Sequence, residues 1–165
     1  MALLDFAQTL YDPEFGTGLR ESVLVFPIIE GLHLIGLAFS VGLIFFVDLR
    51  LLGWFLPKVP VHSILQPLRP WLFGGFALTL VTGVVLFIAT AVKVIVLPVF
   101  FYKLGFIALA GVNATWFEYR WGRRIGDWSE HTILPSGVRR AGWASLALWS
   151  LAVVTGRLIP YLSYQ

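Results

Sequence analysis

The feature that most constrains this chain is a set of four apolar runs, each long enough to cross a lipid bilayer. They lie at about residues 23–47, 70–92, 98–117 and 140–162, and a transmembrane helix needs roughly 20 mostly apolar residues. Hydrophobic residues make up 58% of the chain and charged residues 13%, which is far more apolar than a soluble domain. The sequence therefore predicts an all-α integral membrane protein, a four-transmembrane-helix bundle that forms one domain over residues 1–165, without a cleaved signal peptide.

Basic residues divide unequally between the two sides of such a bundle. Four spans place both termini and the connection between the second and third spans on one side, and the other two connections on the opposite side. The first side holds Arg20 and Lys93, and the second holds Arg50, Lys58, Arg69, Arg120, Arg123, Arg124, Arg139 and Arg140. Because cytoplasmic loops carry an excess of Lys and Arg, we expect both termini to be periplasmic and the protein to lie in the bacterial inner membrane.

Four ionisable residues lie inside the apolar runs, where a charge costs about 2.5 kcal/mol or more. His33 stands about ten residues into the first run, roughly 15 Å from its start, and Glu30 lies on nearly the same helix face. Lys103 lies near the start of the third run and Arg157 near the end of the fourth. Because the topology brings all four to the same half of the membrane, they are predicted to form one site.

The connections and helix contacts can also be predicted. The segment before the first run is expected to form a short helix on the outer surface. Prolines are expected to prevent a long helix before the second run, apart from one or two turns over residues 61–66. These prolines are Pro57, Pro60, Pro67 and Pro70. Small residues four apart predict close contact between helix backbones. The pairs include Gly36 with Ser40 and Thr79 with Gly83.

Two further polar positions are expected to have structural roles. Asp48 and Arg50, at the end of the first run, are expected to pair with each other or with the basic second loop. Asn113, within the third run, is expected to hydrogen-bond a neighbouring helix. Neither position suggests chemistry by itself.

The absence of cysteine limits the chemistry of any site. With no Cys in the chain, disulfides, thiolate metal sites, iron–sulfur clusters and covalent attachment of haem through C-x-x-C-H are excluded. A neutral imidazole in an apolar four-helix bundle is the usual axial ligand of b-type haem, which makes His33 the candidate ligand of a haem iron. Lys103 and Arg157 would neutralise the haem propionates, and Glu30 would orient His33 or transfer protons.

The second axial position is left open by the sequence. The chain has three histidines, and His62 and His131 fall in the loops, where they are expected to face solvent. The remaining candidates for the sixth ligand are Lys103, a water molecule or a neighbouring protomer. One His and one carboxylate are too few ligands for zinc.

Three segments resemble a known group of membrane proteins. The stretch EGLHLIGLAFSVGLIFFVDLRLLG resembles the first helix of the HemJ-type protoporphyrinogen oxidases and of the wider CopD superfamily, LTLVTGVVLF resembles their second helix, and FFYKLGFIALAGVNATWFEYR their third. The Glu30 position and the VDLRLLG ending also resemble an uncharacterised bacterial set of four-helix membrane proteins. The resemblance covers about residues 26–120. It implies that His33 and Lys103 are a functional pair in haem b binding and porphyrinogen oxidation.

These features predict a haem b-binding inner-membrane redox protein, with Glu30 and Lys103 as catalytic candidates. It would transfer electrons or oxidise a hydrophobic substrate, a quinol or a porphyrinogen, and would be a homo-oligomer without a nucleic-acid partner. One alternative is a small transporter or channel subunit for protons, metal ions or small anions; another is a structural subunit of a membrane complex. In a purely structural interpretation, Lys103 and Arg157 extend to the headgroups, Glu30 pairs with one of them and His33 hydrogen-bonds internally.

Overall fold

The fold is built from helices alone in the part of the chain that the structure, a computed structural model, describes. That part comprises residues 2–11, 14–131 and 133–163. It is 86% helical and contains no strand. An all-helical architecture follows from the composition, because a helix satisfies every backbone N–H and C=O within one segment, as a lipid environment demands.

Four helices are long and apolar enough to cross a membrane. They are α3 (Val25–Leu51), α4 (Val61–Val94), α5 (Pro98–Arg120) and α7 (Ser136–Ser163). The protein is therefore a multi-pass membrane protein, and the predicted all-α bundle of four transmembrane helices is confirmed. Each helix extends beyond its apolar run at one end at least, because the helical ends continue past the hydrocarbon layer.

The prediction that prolines prevent a long helix before the second run is wrong. α4 begins at Val61 and continues through Pro67 and Pro70 to its end. A proline inside a helix frees the carbonyl four residues earlier. Here these carbonyls belong to Ser63 and Gln66, which are both exposed, so solvent or headgroups can bond them. Meanwhile Val61, Ile64 and Leu65 are buried in the core, which holds the first turns in place.

The long helices pack as two antiparallel pairs. α3 packs along α4, α5 packs along α7, and a smaller contact between α3 and α7 joins the pairs. Small residues let α3 and α4 approach closely, as predicted: a Cβ added at Gly36 would lie 2.9 Å from Thr79 Oγ1, and one added at Gly75 would lie 3.1 Å from Ser40 Cβ. By contrast, α4 and α5 share no packed interface along their lengths.

One end of the bundle, where α3 ends and α7 begins, is called the loop end and holds an apolar core. Between α5 and α7 the chain forms a 3₁₀ turn at Gly122–Arg124 and the short helix α6 (Ile125–Trp128). The core is formed by Val47, Leu51, Val61, Ile64, Leu65, Ile125, Trp128, Leu134 and Val138. α6 is held against the start of α4, because Val61 N–H donates to Ser129 O at 3.3 Å.

Three polar residues at the loop end differ from their predictions. Asp48 does not pair with Arg50: the Asp48 carboxyl bonds Ser145 on α7, and Arg50 Nε donates to Val59 O at 2.6 Å. His62 is not a solvent-facing loop residue, since it lies in the first turn of α4 with Nδ1 2.9 Å from Ser129 Oγ. Asp48 and Arg50 lie in the last turn of α3 and His62 in the first turn of α4, so helix packing decides their contacts, which loop-based reasoning did not consider.

The other end, where α3 begins and α7 ends, is called the terminal end. Two short helices, α1 (Ala2–Tyr11) and α2 (Glu14–Glu21), precede α3 there. In the segment that is predicted to form a short helix on the outer surface, α1 packs against the terminal end of α4. Ala7 is 0% exposed and meets Ala91 and Ile95 in an apolar cluster.

Candidate functional site

His33 lies at the contact between α3 and α4. Its Nδ1 is 3.0 Å from Thr82 Oγ1, and its ring packs against Gly83, where an added Cβ would lie 3.1 Å from His33 Cε1. The imidazole is half-buried. The absence of a side chain at Gly83 is thus what lets the ring lie flat against α4.

The hydrogen bonds around His33 favour one tautomer of the ring. Thr82 Oγ1 lies 2.6 Å from Leu78 O, and donation of its one proton to that carbonyl leaves the hydroxyl as an acceptor for His33 Nδ1–H. The backbone of Thr79 also bonds the ring. Because a neutral imidazole has one protonated nitrogen, Nε2 keeps its lone pair in this tautomer and can act as a ligand or a proton acceptor.

Lys103 reaches the same region from the other helix pair. It lies in the second turn of α5, and its side chain runs over Gly156 of α7: a Cβ added there would lie 3.3 Å from Lys103 Cε and 3.5 Å from Nζ. Within the described residues Lys103 has neither a hydrogen bond nor an ion pair. An ammonium group in such an apolar setting calls for an anionic or oxygen-bearing partner.

The charges of Glu30 and Lys103 both act electrostatically on the His33 ring. Glu30 itself is exposed on the surface of the chain. Glu30 and Lys103 do not form an ion pair; across residues 2–11, 14–131 and 133–163 the only ion pair joins Arg69 to Glu118, at 2.8 Å. The ion pair of Glu30 with Lys103 or Arg157, expected in the purely structural interpretation, is therefore not observed among the described residues.

Arg157 is the one predicted site residue that the described contacts do not join to the others. It directly follows Gly156 on α7, but its side chain is exposed, and Nη2 lies 3.3 Å from the Tyr161 hydroxyl. The guanidinium also sits 5.4 Å from the centre of the Tyr161 ring.

Sequence reasoning missed the residues that hold His33 and Lys103. Thr82 orients the imidazole, while Gly83 and Gly156 make room for the two side chains. The sequence indicates only part of this arrangement, because the Thr79–Gly83 pair predicts close contact between helix backbones. Nothing in that spacing indicates that a histidine, and not a helix backbone, occupies the space beside Gly83.

Other concave features lie away from this site. A cavity of about 160 Å³ at the loop end is lined by Leu51, Leu52, Gly53, Ile133, Leu134 and Arg139. A groove of about 560 Å³ on α5 is lined by Ala108, Gly111, Val112, Thr115, Trp116 and Tyr119. Asn113, on the same helix, donates from Nδ2 to Ala141 O at 3.0 Å, as predicted. No group of three or more His, Asp or Glu side chains that could hold a metal ion occurs in the described parts.

Comparison with known proteins identifies a family but no activity. No curated protein and no solved structure matches the chain. The model of a family of unknown function, DUF6644, matches residues 19–162, which include all four long helices and all four predicted site residues. The chain therefore belongs to the DUF6644 family.

Proposed function

We propose that the protein is a haem b-binding membrane redox protein in which His33 is the iron ligand. The observation that carries this proposal is the hydrogen bond from His33 Nδ1–H to Thr82 Oγ1 at 3.0 Å. Metal-ligating histidines commonly donate their other ring N–H to a fixed acceptor, which sets the tautomer and orients the ring. The free Nε2 in the apolar bundle is the donor that a b-type haem uses.

The donor set fits this group. A haem supplies four nitrogens of its own and needs only axial ligands from the protein, so a single histidine is sufficient where a bare metal ion would need several side chains. His33 belongs to the α3–α4 pair and Lys103 to the α5–α7 pair, so a haem held by both residues would lie between the two helix pairs.

The charged residues have complementary roles in this proposal. Lys103 has no described anionic partner and would hold a propionate, and Arg157, at the terminal end of α7, would hold the other. Glu30 interacts with His33 and would take up or release the proton that accompanies electron transfer. The sixth ligand would come from Lys103, a water molecule or a second protomer of a homo-oligomer.

The bound haem would supply one-electron chemistry. The substrate would be a hydrophobic electron donor, a quinol or a porphyrinogen, or the protein would pass electrons between partners. The HemJ-like pattern of a first-helix histidine and a third-helix lysine supports the same assignment. The excess of Lys and Arg at the loop end supports placing that end in the cytoplasm of a bacterial cell and both termini in the periplasm.

The test is the visible spectrum of the detergent-purified protein, recorded oxidised and dithionite-reduced. We expect a Soret band that shifts on reduction and that His33→Ala abolishes. His62→Ala is the matched control, because His62 is also half-buried and hydrogen-bonded but lies at the loop end; it should leave the band unchanged. Lys103→Met should weaken haem binding without abolishing the band.

The opposite outcome is equally clear. A protein that stays colourless after haem is supplied during expression would contradict the proposal. If that protein also took up protons in liposomes, and Glu30→Gln stopped the uptake, the site would belong to a transporter. If His33→Ala and Glu30→Gln changed only the assembly of the protein with its partners, the chain would be a structural subunit.

A further inference from the structure

The side of the bundle between α4 and α5 is closed at two points. At the loop end Arg69 Nη2 lies 2.8 Å from Glu118 Oε2. At the terminal end the rings of Phe87 and Phe100 stack with their centres 5.2 Å apart. Because α4 and α5 share no packed interface between these points, they are joined at both ends and separated in the middle.

Helix geometry shows that the same faces of α4 and α5 meet at both closures. Arg69 and Phe87 are 18 residues apart on α4, and so are Phe100 and Glu118 on α5. Eighteen residues are five helical turns at 3.6 residues per turn, and they span about 27 Å. The two closures therefore lie nearly as far apart as the roughly 30 Å thickness of the hydrocarbon core.

Midway along α4, Phe76 also lies on the facing side and packs against Trp149 of α7, with their ring centres 5.0 Å apart. Between Phe76 and the closure at the terminal end, exposed residues lie on the facing sides. On α4, Leu80 is 70% exposed, and on α5, Ile107 is 37% exposed. Counting inward from the two closures puts Leu80 level with Ile107, and Val84 level with Lys103. We call the gap between residues 77–86 of α4 and 101–110 of α5, on the terminal-end side of Phe76, the α4–α5 opening.

The opening meets the candidate site near its terminal end. Gly83, which carries the His33 ring, lies next to Val84, the residue level with Lys103. One turn further out, Phe87 and Phe100 contact the apolar cluster of Ala91 and Ile95, which also contains Ala7 of α1. This cluster lies between the site and the terminal end, and the apolar core lies at the opposite, loop end.

We propose that a lipid-soluble ring compound with an anionic or hydrogen-bond-accepting oxygen enters the His33–Lys103 site sideways from the bilayer, through the α4–α5 opening. The exposed aliphatic side chains suit an apolar ring system. The Lys103 ammonium has three N–H donors, so it can bond this oxygen as well as a haem propionate. Quinones have this chemistry. The inference rests on the proposed function for the identity of the site, but the route can be tested without haem.

The cysteine-free chain permits a direct test with two introduced cysteine pairs. Leu80→Cys with Ile107→Cys spans the middle of the opening, and Phe87→Cys with Phe100→Cys spans the closure at the terminal end. Each variant is placed in lipid nanodiscs and bridged with a short bifunctional thiol reagent. The probe is a photoreactive quinone with an isoprenoid tail, unlabelled quinone is the competitor, and mass spectrometry locates the labelled peptides.

We expect the probe to label peptides of α4 and α5, and unlabelled quinone to suppress this labelling. Bridging across the opening should abolish the labelling, whereas bridging at the Phe87 and Phe100 positions should leave it unchanged. The unbridged forms of both pairs should behave as the parent protein and show that folding is intact. In Lys103→Met, a higher concentration of unlabelled quinone should be needed to suppress the labelling to the same extent.

Any other pattern overturns the proposal. Loss of labelling on bridging Phe87→Cys to Phe100→Cys would show entry past the terminal end, and loss with both pairs or with neither would rule out the opening as the route. Labelling that unlabelled quinone does not suppress would mean that bilayer acyl chains fill the gap. The Soret band of the same samples separates the two proposals: suppressible labelling without a band contradicts haem alone, and a band without suppressible labelling contradicts the route alone.

Discussion

The His33 ring is oriented by a single hydroxyl group, and this makes its tautomer testable. Thr82→Val removes the acceptor while preserving the shape of the side chain, so we expect the ring to lose its fixed Nδ1–H form and to populate both tautomers. Thr79→Val is the matched control, because Thr79 contributes its backbone, not its hydroxyl, to the ring. Nitrogen-15 NMR of histidine-labelled protein reads the tautomer directly. A spectrum unchanged by Thr82→Val would contradict the assignment.

Asp48 offers a second test at this scale. The residue is 5% exposed, one carboxyl oxygen lacks a hydrogen-bond partner, and no Lys or Arg in the described parts of the chain forms an ion pair with it. A buried carboxylate without a cation is costly, so Asp48→Asn should leave the free energy of unfolding unchanged or raise it by about 1–2 kcal/mol. Steric-trapping measurements in detergent would record it.

The matched control for Asp48 is Glu118→Gln, which breaks an ion pair. That pair is more than a third exposed on both sides, so its loss should lower the free energy of unfolding by about 1 kcal/mol or less. A fall of several kcal/mol in Asp48→Asn would mean that its carboxylate has a charged partner and would contradict the interpretation.

Residues with unusual chemistry were easier to predict than those that hold them. An ionisable side chain in an apolar run is costly wherever the run inserts, so His33 and Lys103 stand out without any knowledge of the packing. Thr82 and Gly156 are ordinary residues of transmembrane helices. Their roles depend on which helix faces which at what level, and that is decided by packing between segments far apart in sequence.

At the scale of helices, the α3–α4 contact depends on small residues at matching levels. Gly36→Ala would place a Cβ 2.9 Å from Thr79 Oγ1, whereas Gly42→Ala, on the same helix, would meet no atom within 4 Å. We expect the first change to lower the free energy of unfolding by about 1–3 kcal/mol and the second to have little effect. Equal effects of the two substitutions in a steric-trapping experiment would contradict the observed packing.

The extents of the helices show which local rules a membrane fold obeys. The apolar runs predicted the number and order of the long helices, because hydrophobic length is the dominant constraint in lipid. The proline rule failed at Pro67 and Pro70, where the freed carbonyls are exposed and the core at the loop end holds Val61 and Ile64. A local signal was overridden by tertiary burial only a few residues away.

The whole molecule consists of two closely packed helix pairs, which are joined by a smaller contact between α3 and α7 and share no packed interface between α4 and α5. No single run of sequence encodes this asymmetry, since α4 and α5 are adjacent in the chain and have similar apolar compositions. It arises because small residues let α3 approach α4 closely, and because Gly156 of α7 makes room for the side chain of Lys103 on α5. The candidate site lies where residues from both pairs approach, which is why no one helix reveals it.

The orientation of the molecule in the membrane is the last prediction, and it follows from the distribution of charge. Because Lys and Arg concentrate at the loop end, that end should face the cytoplasm. His131→Cys and Trp54→Cys lie in the two exposed connections of the loop end, and Val96→Cys lies between α4 and α5 at the terminal end. In the cysteine-free background, a membrane-impermeant thiol reagent should label Val96→Cys in spheroplasts of a bacterial host and the other two only in inside-out vesicles. The reverse pattern would place the termini in the cytoplasm, and labelling of one loop from each side would contradict the four-span topology itself.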